Sequence, residues 1–162
     1  MTDYTTTIFG TNTTKWREDL KSFFNILCPW KMHDIYDILS INQHEVFVRQ
    51  INQSNIVVFV ITNETYGLKE LALTGLMINE ICNSNKYGIF YIEPLIKADL
   101  YKVDTITGSE SNQIRTAIIK HLQLLQNDRI FLVNEIDNLG HVILDTYDLI
   151  ELTDNMQQKW KG

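Results

Sequence analysis

The chain has 162 residues, a length typical of one domain, so we expect residues 1–162 to form a single domain. Hydrophobic residues make up 44% of the chain and charged residues 21%, which are proportions of an ordinary globular protein. They exclude intrinsic disorder, collagen-like repeats and a disulfide framework. The 14 basic and 20 acidic side chains give a formal net charge of -6, a sign that disfavours binding to long nucleic acids.

The cysteines and the apolar segments favour a cytoplasmic location. Cys28 and Cys82 stand alone, without a Cys-x-x-Cys motif or a histidine cluster, so we expect reduced thiols and no metal site. No apolar stretch approaches the roughly 18 residues that span a bilayer, and the first residues lack the pattern of a signal peptide. We therefore expect no membrane partner and no cofactor. The abundance of Asn, Ile and Lys suggests a bacterial or phage gene.

The first half of the chain predicts strands that alternate with helices. Residues 5–9 form a β-branched and aromatic run closed by Gly10, which predicts a strand and a turn. Apolar residues recur at helical spacing over residues 16–27 and predict an amphipathic helix. The continuous apolar run Ile56–Ile61 predicts a central strand buried on both faces. Two further elements are expected, a short strand at residues 28–32 and a helix at residues 43–53.

The second half continues the alternation. Residues 68–83 predict a helix and Tyr87–Ile92 a strand, whereas residues 95–107 suggest a short helix and a loop. We expect residues 108–112 to cap a helix whose apolar side carries Ile114, Ala117, Ile118, His121, Leu122 and Leu125. The last predicted elements are strands at residues 130–133 and 141–144 around a turn at residues 137–140, and a helix from residue 146 to about residue 160, capped by Asp145.

Alternating strands and helices imply crossover connections and a parallel sheet. We therefore expect an α/β fold, a flavodoxin-like or Rossmann-like three-layer sandwich with a mainly parallel sheet. Ligands of such sheets bind at the carboxyl ends of the strands, where the connections change direction. This rule selects two loops as candidate sites, residues 10–14 after the first strand and residues 62–67 after the central strand.

The loop at residues 10–14 is suited to an anionic or hydroxyl-bearing ligand. Backbone N–H groups at the start of a helix attract anions, and hydroxyl and amide side chains surround them here. The structural alternative is plain capping of the helix that follows. Neither GxGxxG nor GxxxxGK[ST] is present, which excludes a dinucleotide fingerprint and a P-loop. The candidate binding residues are Gly10, Thr11 and Asn12.

The loop at residues 62–67 leads into a helix that carries Glu70 in its first turn. The helix dipole favours a carboxylate there, and an ionised carboxylate beside a cleft is the nucleophile that a glycosyl-type displacement needs. The alternative is that Glu70 only complements the dipole. The candidate binding residues are Asn63 and Glu64 for a base edge, Tyr66 for stacking on a base, and Gly67. A weaker candidate phosphate site, or a solvated helix face, consists of Ser109, Ser111, Arg115 and Lys120.

The chain resembles the nucleoside 2-deoxyribosyltransferase-like superfamily in three segments, IFGTNTT-x-WREDL, NIVVFVITNETYGLKELAL and KYGIFYIEP. The resemblance implies a flavodoxin-like fold that cleaves or transfers at the N-glycosidic bond of a 2-deoxynucleoside or its monophosphate. In that family a glutamate at a helix opening forms a covalent deoxyribosyl intermediate, and a base or water then takes the sugar. The resemblance also implies a homo-oligomer, in which Trp160 would pack against a second subunit.

Two registers of the resemblance are open. Glu70 matches the family's glutamate if the loop is one residue shorter; without that gap Leu73 takes its place and no nucleophile is left. The chain also departs from the family at three places: Ile8 stands near the family's tyrosine, Asn55 stands where an aspartate is common, and Thr65-Tyr66 replaces an acidic residue before the loop glycine. These departures keep two alternatives open. One is a non-catalytic nucleotide-binding protein that serves as a sensor, sequestering protein or scaffold, and the other is a TIR-like domain that cleaves NAD.

Overall fold

The computed structural model describes residues 4–13, 15–38 and 44–161, and it contains a five-stranded parallel sheet. The strands are β1 (Thr6–Gly10), β2 (Ile35–Ile38), β3 (Ile56–Ile61), β4 (Tyr87–Ile92) and β5 (Ile130–Leu132). Their spatial order is β2-β1-β3-β4-β5, and every neighbouring pair is parallel. The predicted flavodoxin-like α/β fold is confirmed.

The described chain contains six α-helices. They are α1 (Lys15–Leu27), α2 (His44–Gln53), α3 (Leu68–Cys82), α4 (Ala98–Val103), α5 (Thr105–Leu124) and α6 (Leu139–Lys161). Helices α1 and α6 pack on one face, and α2, α3 and α5 pack on the other. Within the described ranges, no helix has both the length and the apolar character that crossing a bilayer requires.

The central strand β3 is buried along its whole length. Val58 and Val60 belong to the apolar cluster under α1 and α6, whereas Phe59 and Ile61 belong to the cluster under α2, α3 and α5. Phe59 also stacks on Phe90 of β4, with ring centroids 5.1 Å apart. Because both faces of this strand exclude water, its sequence is a continuous apolar run rather than an alternating one.

The strand order has a switch point, a place where successive connections leave the sheet on opposite faces, between β1 and β3. The two strands are neighbours, with Gly10 paired to Val60. The chain leaves β1 for α1 on one face and leaves β3 for α3 on the other. The connections diverge at the carboxyl ends of these strands, which is where doubly wound sheets bind their ligands.

Two predicted strands are wrong. Residues 28–32 are not a strand: Cys28 precedes a 3-10 helix that spans Pro29–Asp34, and β2 begins directly after this helix. A strand is disfavoured here because proline has no backbone N–H to donate to a neighbouring strand. Residues 141–144 lie inside α6, which begins at Leu139 and not at residue 146. The core-facing residues of α6 recur at helical spacing; they are Leu139, Ile143, Thr146 and Ile150. The apolar residues at the start of α6 therefore belong to a helix and not to a strand.

The predicted start of α5 is also wrong. The helix begins at Thr105, and its cap is Asp104, whose carboxylate accepts a hydrogen bond of 3.0 Å from the backbone N–H of Thr107. Residues 108–112 therefore lie within the helix. Its buried side is also rotated from the predicted one, because Ile114, Ala117 and His121 are exposed and the buried residues are Gly108, Ser111, Arg115, Ile118 and Leu122.

A pair of glycine substitutions tests the packing at the end of β1. An added Cβ at Gly10 would lie 2.2 Å from the carbonyl oxygen of Val60, a backbone atom that has no room to move away. We expect Gly10→Ala to lower the free energy of unfolding by about 2 kcal/mol in equilibrium urea titrations. The control is Gly75→Ala in α3, where a Cβ meets open space and better helix propensity should raise stability by about 0.5–1 kcal/mol. Equal effects of the two substitutions would contradict this packing.

Candidate functional site

Two threonines join the loops that follow β1 and β3. Thr11 and Thr62 are buried, and their hydroxyl oxygens lie 2.7 Å apart in a hydrogen bond. The backbone N–H of Thr62 also donates to the Thr11 hydroxyl at 3.0 Å. The two loops selected from the sequence are therefore in direct contact at the switch point.

Arg17 of α1 holds the first of these loops. Its buried guanidinium donates to the carbonyl oxygens of Thr11 at 2.7 Å and Thr13 at 3.1 Å. Its Nε donates to the Asp37 carboxylate on β2 at 2.9 Å, and the group lies over the Trp16 ring. The loop carbonyls and the carboxylate together compensate the loss of water around the buried charge.

Arg115 of α5 holds the second loop in the same way. It is fully buried, and its Nη2 donates to the carbonyl oxygens of Thr62 at 2.9 Å and Thr65 at 3.0 Å. Its Nη1 donates to the carbonyl oxygen of Glu93 at 2.9 Å, and its Nε to the Ser111 hydroxyl at 3.0 Å. The group that the sequence offered as a phosphate ligand thus binds the protein's own carbonyl oxygens.

The first turn of α3 places Glu70 at the same edge of the sheet. Glu70 is half-buried, and it precedes the buried residues Thr74, Met77 and Ile81 by four, seven and eleven residues. These spacings put it on the sheet-facing side of the helix. Because α3 begins just beyond the end of β3, Glu70 lies beside the carboxyl ends of the strands and not in the core.

Gly67 brings this turn against both the first loop and Arg115. A Cβ on Gly67 would lie 3.3 Å from the Thr11 methyl group and 3.4 Å from the Arg115 Nη2. Its φ of 62° is in the left-handed region that favours glycine. Burial lowers the pKa of Arg115 to about 10, while the charges of Glu93 and Glu70 act in the opposite direction. The Glu70 carboxylate therefore lies within electrostatic range of the buried guanidinium.

Leu73, the residue of the alternative register, has a different environment. It packs against the apolar cluster that includes Phe9, Phe47 and Leu71. The acidic residue in the first turn of α3 is Glu70. Position 73 thus contributes to the core, and position 70 contributes a carboxylate to the edge.

Asn63 and Glu64 face the loop after β4. The backbone N–H of Asn63 donates to the Glu93 carboxylate at 3.0 Å, and its carbonyl oxygen accepts from the N–H of Lys97 at 3.0 Å. The exposed Glu64 carboxylate lies 3.6 Å from the Lys97 ammonium, a solvated ion pair that contributes little to stability. Base-edge reading by these two residues stays a prediction.

The remaining candidate binding residues differ in how accessible they are to a ligand. These residues are Tyr66, Gly10 and Asn12. The Tyr66 hydroxyl donates to the carbonyl oxygen of Leu100 in α4 at 2.7 Å, so the side chain is held against that helix. Gly10 is buried against Val60, whereas Asn12 is exposed. The loop's last residue, position 14, lies outside the described residues. The structure brings Thr11, Gly67 and the Glu70 turn together and directs the Tyr66 hydroxyl to α4.

Sequence reasoning missed a group of carboxylates around Tyr91. The Tyr91 hydroxyl donates to Glu93 at 2.9 Å. Burial raises the pKa of Tyr91, and the hydrogen bond and charge of Glu93 and the charges of Glu135 and Asp137 raise it further. The position of Glu93 directly after β4 was the available signal. Among the residues that the structure describes, no set of three His, Cys, Asp or Glu side chains is arranged to hold a metal ion.

We predict that Tyr91 ionises above the pH of about 10 at which exposed tyrosines ionise. Because the folded state keeps a proton that the unfolded state loses, Tyr91 contributes stability below that pH and loses it as the pH rises further. Phenolate absorbance during an alkaline titration, together with urea titrations at each pH, measures both effects. Tyr91→Phe should remove the late-titrating group. A late group that persists in Tyr91→Phe would contradict the assignment.

We also predict that Arg115→Met destabilises the protein by about 3 kcal/mol or more, because the buried carbonyl oxygens of Thr62, Thr65 and Glu93 lose their donor. Hydrogen–deuterium exchange should increase in residues 62–67 before it does in β3. The control is Lys120→Met, an exposed position of the same helix, with an expected change within about 0.5 kcal/mol. Similar stabilities of the two variants would show that Arg115 does not hold the loop.

Comparisons with known proteins do not extend this description. The sequence matches none of the protein-family models and none of the curated proteins with which we compared it. The fold and the geometry at the switch point therefore provide the basis for a functional proposal.

Proposed function

We propose that the chain cleaves or transfers the N-glycosidic bond of a 2-deoxynucleoside or its monophosphate, with Glu70 as the nucleophile. The observation that carries the proposal is the position of Glu70, half-buried on the sheet-facing side of the first turn of α3, beside the β1/β3 switch point. Ligands of flavodoxin-like sheets bind at this place.

The reaction has two displacements at the anomeric carbon. A Glu70 carboxylate oxygen attacks C1′ of the deoxyribose, the C1′–N bond breaks, and its electron pair leaves with the base, which takes up a proton. The product of this step is a glycosyl ester. A second base or a water molecule then attacks C1′, loses a proton, and displaces the carboxylate.

The charges around Glu70 suit a reaction in which positive charge develops on the sugar. Glu70 lies in the first turn of α3, and its charge attracts the buried guanidinium of Arg115. The carboxylate in turn stabilises the oxocarbenium-like charge that develops on the sugar. The proposed substrate-binding residues are Gly10, Thr11, Asn12, Asn63, Glu64, Tyr66 and Gly67.

One observation favours a second function, nucleotide binding without chemistry. The hydroxyls of Thr11 and Thr62 bind each other, and the Tyr66 hydroxyl binds the backbone of α4, so these polar groups of the edge already have protein partners. A sheet edge organised in this way suits a sensor, a sequestering protein or a scaffold. A TIR-like cleavage of NAD is the third candidate, because it would use a carboxylate on the same kind of sheet.

We further propose that the protein acts in the cytoplasm on a small molecule, without a cofactor and as a homo-oligomer. The absence of a bilayer-spanning helix in the described ranges and the acidic net charge are compatible with this setting.

We predict that purified protein releases free base from a 2-deoxynucleoside or its monophosphate and that Glu70→Gln lowers the rate by at least about a thousand-fold. Chromatography of the products measures release, and mass spectrometry of the quenched protein detects the deoxyribosyl ester. The control is Glu80→Gln, an exposed glutamate of the same helix, which should retain the wild-type rate.

The other outcomes separate the candidates. Base release that persists in Glu70→Gln would exclude Glu70 as the nucleophile. Binding of nucleotides in calorimetry without release from any of them would favour the non-catalytic function. Release of nicotinamide from NAD would favour the TIR-like reaction.

A further inference from the structure

A pocket lies at the amino-terminal edge of the sheet, at the opposite end of the strands from Glu70. Its walls come from the residue segment before β1, from the 3-10 helix before β2 and from the second half of α6. Its volume is about 420 Å³, and small-molecule sites in proteins have volumes of roughly 300–1,000 Å³. The lining side chains that bear on a ligand are Tyr4, Trp30, Tyr147, Asp148, Glu151 and Asp154.

Three aromatic side chains line this pocket. Trp30 is 69% exposed, whereas Tyr147 is half-buried and Tyr4 is buried. The two tyrosine rings meet edge to face, with centroids 5.3 Å apart, and the Tyr4 hydroxyl donates to the Asp154 carboxylate. These contacts fix the tyrosines, and the indole of Trp30 offers a ligand a large π-face beside them.

An ammonium group of the protein already lies on one of these rings. The Lys31 Nζ is 3.7 Å from the centroid of the Tyr147 ring. It also donates to the carbonyl oxygen of Tyr4 at 2.7 Å and lies 3.5 Å from the Asp34 carboxylate. The charge of Lys31 thus has partners inside the protein. Because Lys31 occupies a face of Tyr147, the ring that is most available to a further cation is that of Trp30.

The carboxylates of the pocket add negative charge beside the rings. Asp148, Glu151 and Asp154 follow one another at intervals of three residues along α6. In the described part of the chain, no Lys, Arg or His side chain forms an ion pair with the exposed carboxylates of Asp148 and Glu151. The pocket therefore has an excess of negative charge.

The combination of rings and carboxylates selects one class of cation. A carboxylate attracts any cation, but an aromatic face favours a cation whose charge is surrounded by alkyl groups. The side chains of residues 4–13, 15–38 and 44–161 include no group of three acidic, histidine or cysteine residues suited to a metal ion. An organic ammonium ion fits the pocket better than a metal ion does.

We propose that this pocket binds a small quaternary ammonium ion, with Trp30 and Tyr147 in contact with its alkyl groups and with Asp148 and Glu151 supplying the opposite charge. The pocket and the β1/β3 switch point are at opposite edges of the sheet, so this site does not depend on the proposed reaction.

Nuclear magnetic resonance of the isotope-labelled full chain, titrated with choline, tests the site. The chain has three tryptophans, whose indole N–H signals are assigned with Trp→Phe variants. We expect choline to shift the Trp30 signal saturably and to leave the signals of the buried Trp16 and the distant Trp160 in place. The neutral analogue of choline, in which carbon replaces nitrogen, should bind at least about tenfold more weakly. The absence of a saturable shift, or equal affinity for the neutral analogue, would overturn the proposal.

Substitutions test the roles of the ring and the charge, with binding followed through the backbone N–H signals of residues 147–154. Trp30→Ala should weaken choline binding at least about tenfold, and Glu151→Gln should weaken it several-fold. The controls are Trp160→Ala and Glu80→Gln, both at exposed positions outside the pocket, which should leave the affinity unchanged. Because Trp30 and Glu151 are exposed, their substitution should leave the fold intact.

Two results would overturn this assignment. Trp30→Ala with the wild-type affinity would show that the rings do not bind the cation. A peptide that carries trimethyl-lysine and binds more tightly than choline would replace the small molecule with a protein partner.

Discussion

Two buried guanidinium groups organise the carboxyl edge of the sheet. Arg17 binds the carbonyl oxygens of the loop after β1, and Arg115 binds those of the loop after β3. A loop that leaves a buried strand turns its carbonyl oxygens away from regular ladder partners, and those oxygens need donors if water is excluded. The planar fork of arginine supplies several donors from one side chain. The positions of Thr11, Gly67 and the first turn of α3 depend on these contacts.

The same arrangement sets the electrostatics of the candidate site. Arg115 places a buried positive charge beneath the carboxyl edge of the sheet. The carboxylates of Glu70 and Glu93 lie close enough to interact electrostatically with this charge. Further carboxylates gather near Tyr91 at the ends of β4 and β5. An edge of this composition is better suited to stabilising a developing positive charge on a sugar than to neutralising a highly charged polyanion. This balance connects the buried core to the proposed chemistry at Glu70.

Much of the fold was predictable because it depends on local periodicity. The strands Ile56–Ile61 and Tyr87–Ile92 coincide with continuous apolar runs, and the alternation of strands with helices predicted the parallel sheet. One error arose where an apolar run had two interpretations. Residues 141–144 have the composition of a strand, but Leu139, Ile143 and Ile150 share a helical side that only the packing of α6 on the sheet reveals.

The sequence by itself determined the fold class, the two loops at the switch point, and a glutamate in the first turn of a helix. Tertiary structure alone decided which side of α5 is buried, because the interior position of Arg115 depends on carbonyl oxygens that come from Thr62, Thr65 and Glu93, all distant in the chain. The hydroxyl bonds of Thr11 and Tyr66 were undetermined for the same reason. Periodicity reports which side chains avoid water, whereas the partners of a buried polar group are fixed by contacts between separate segments.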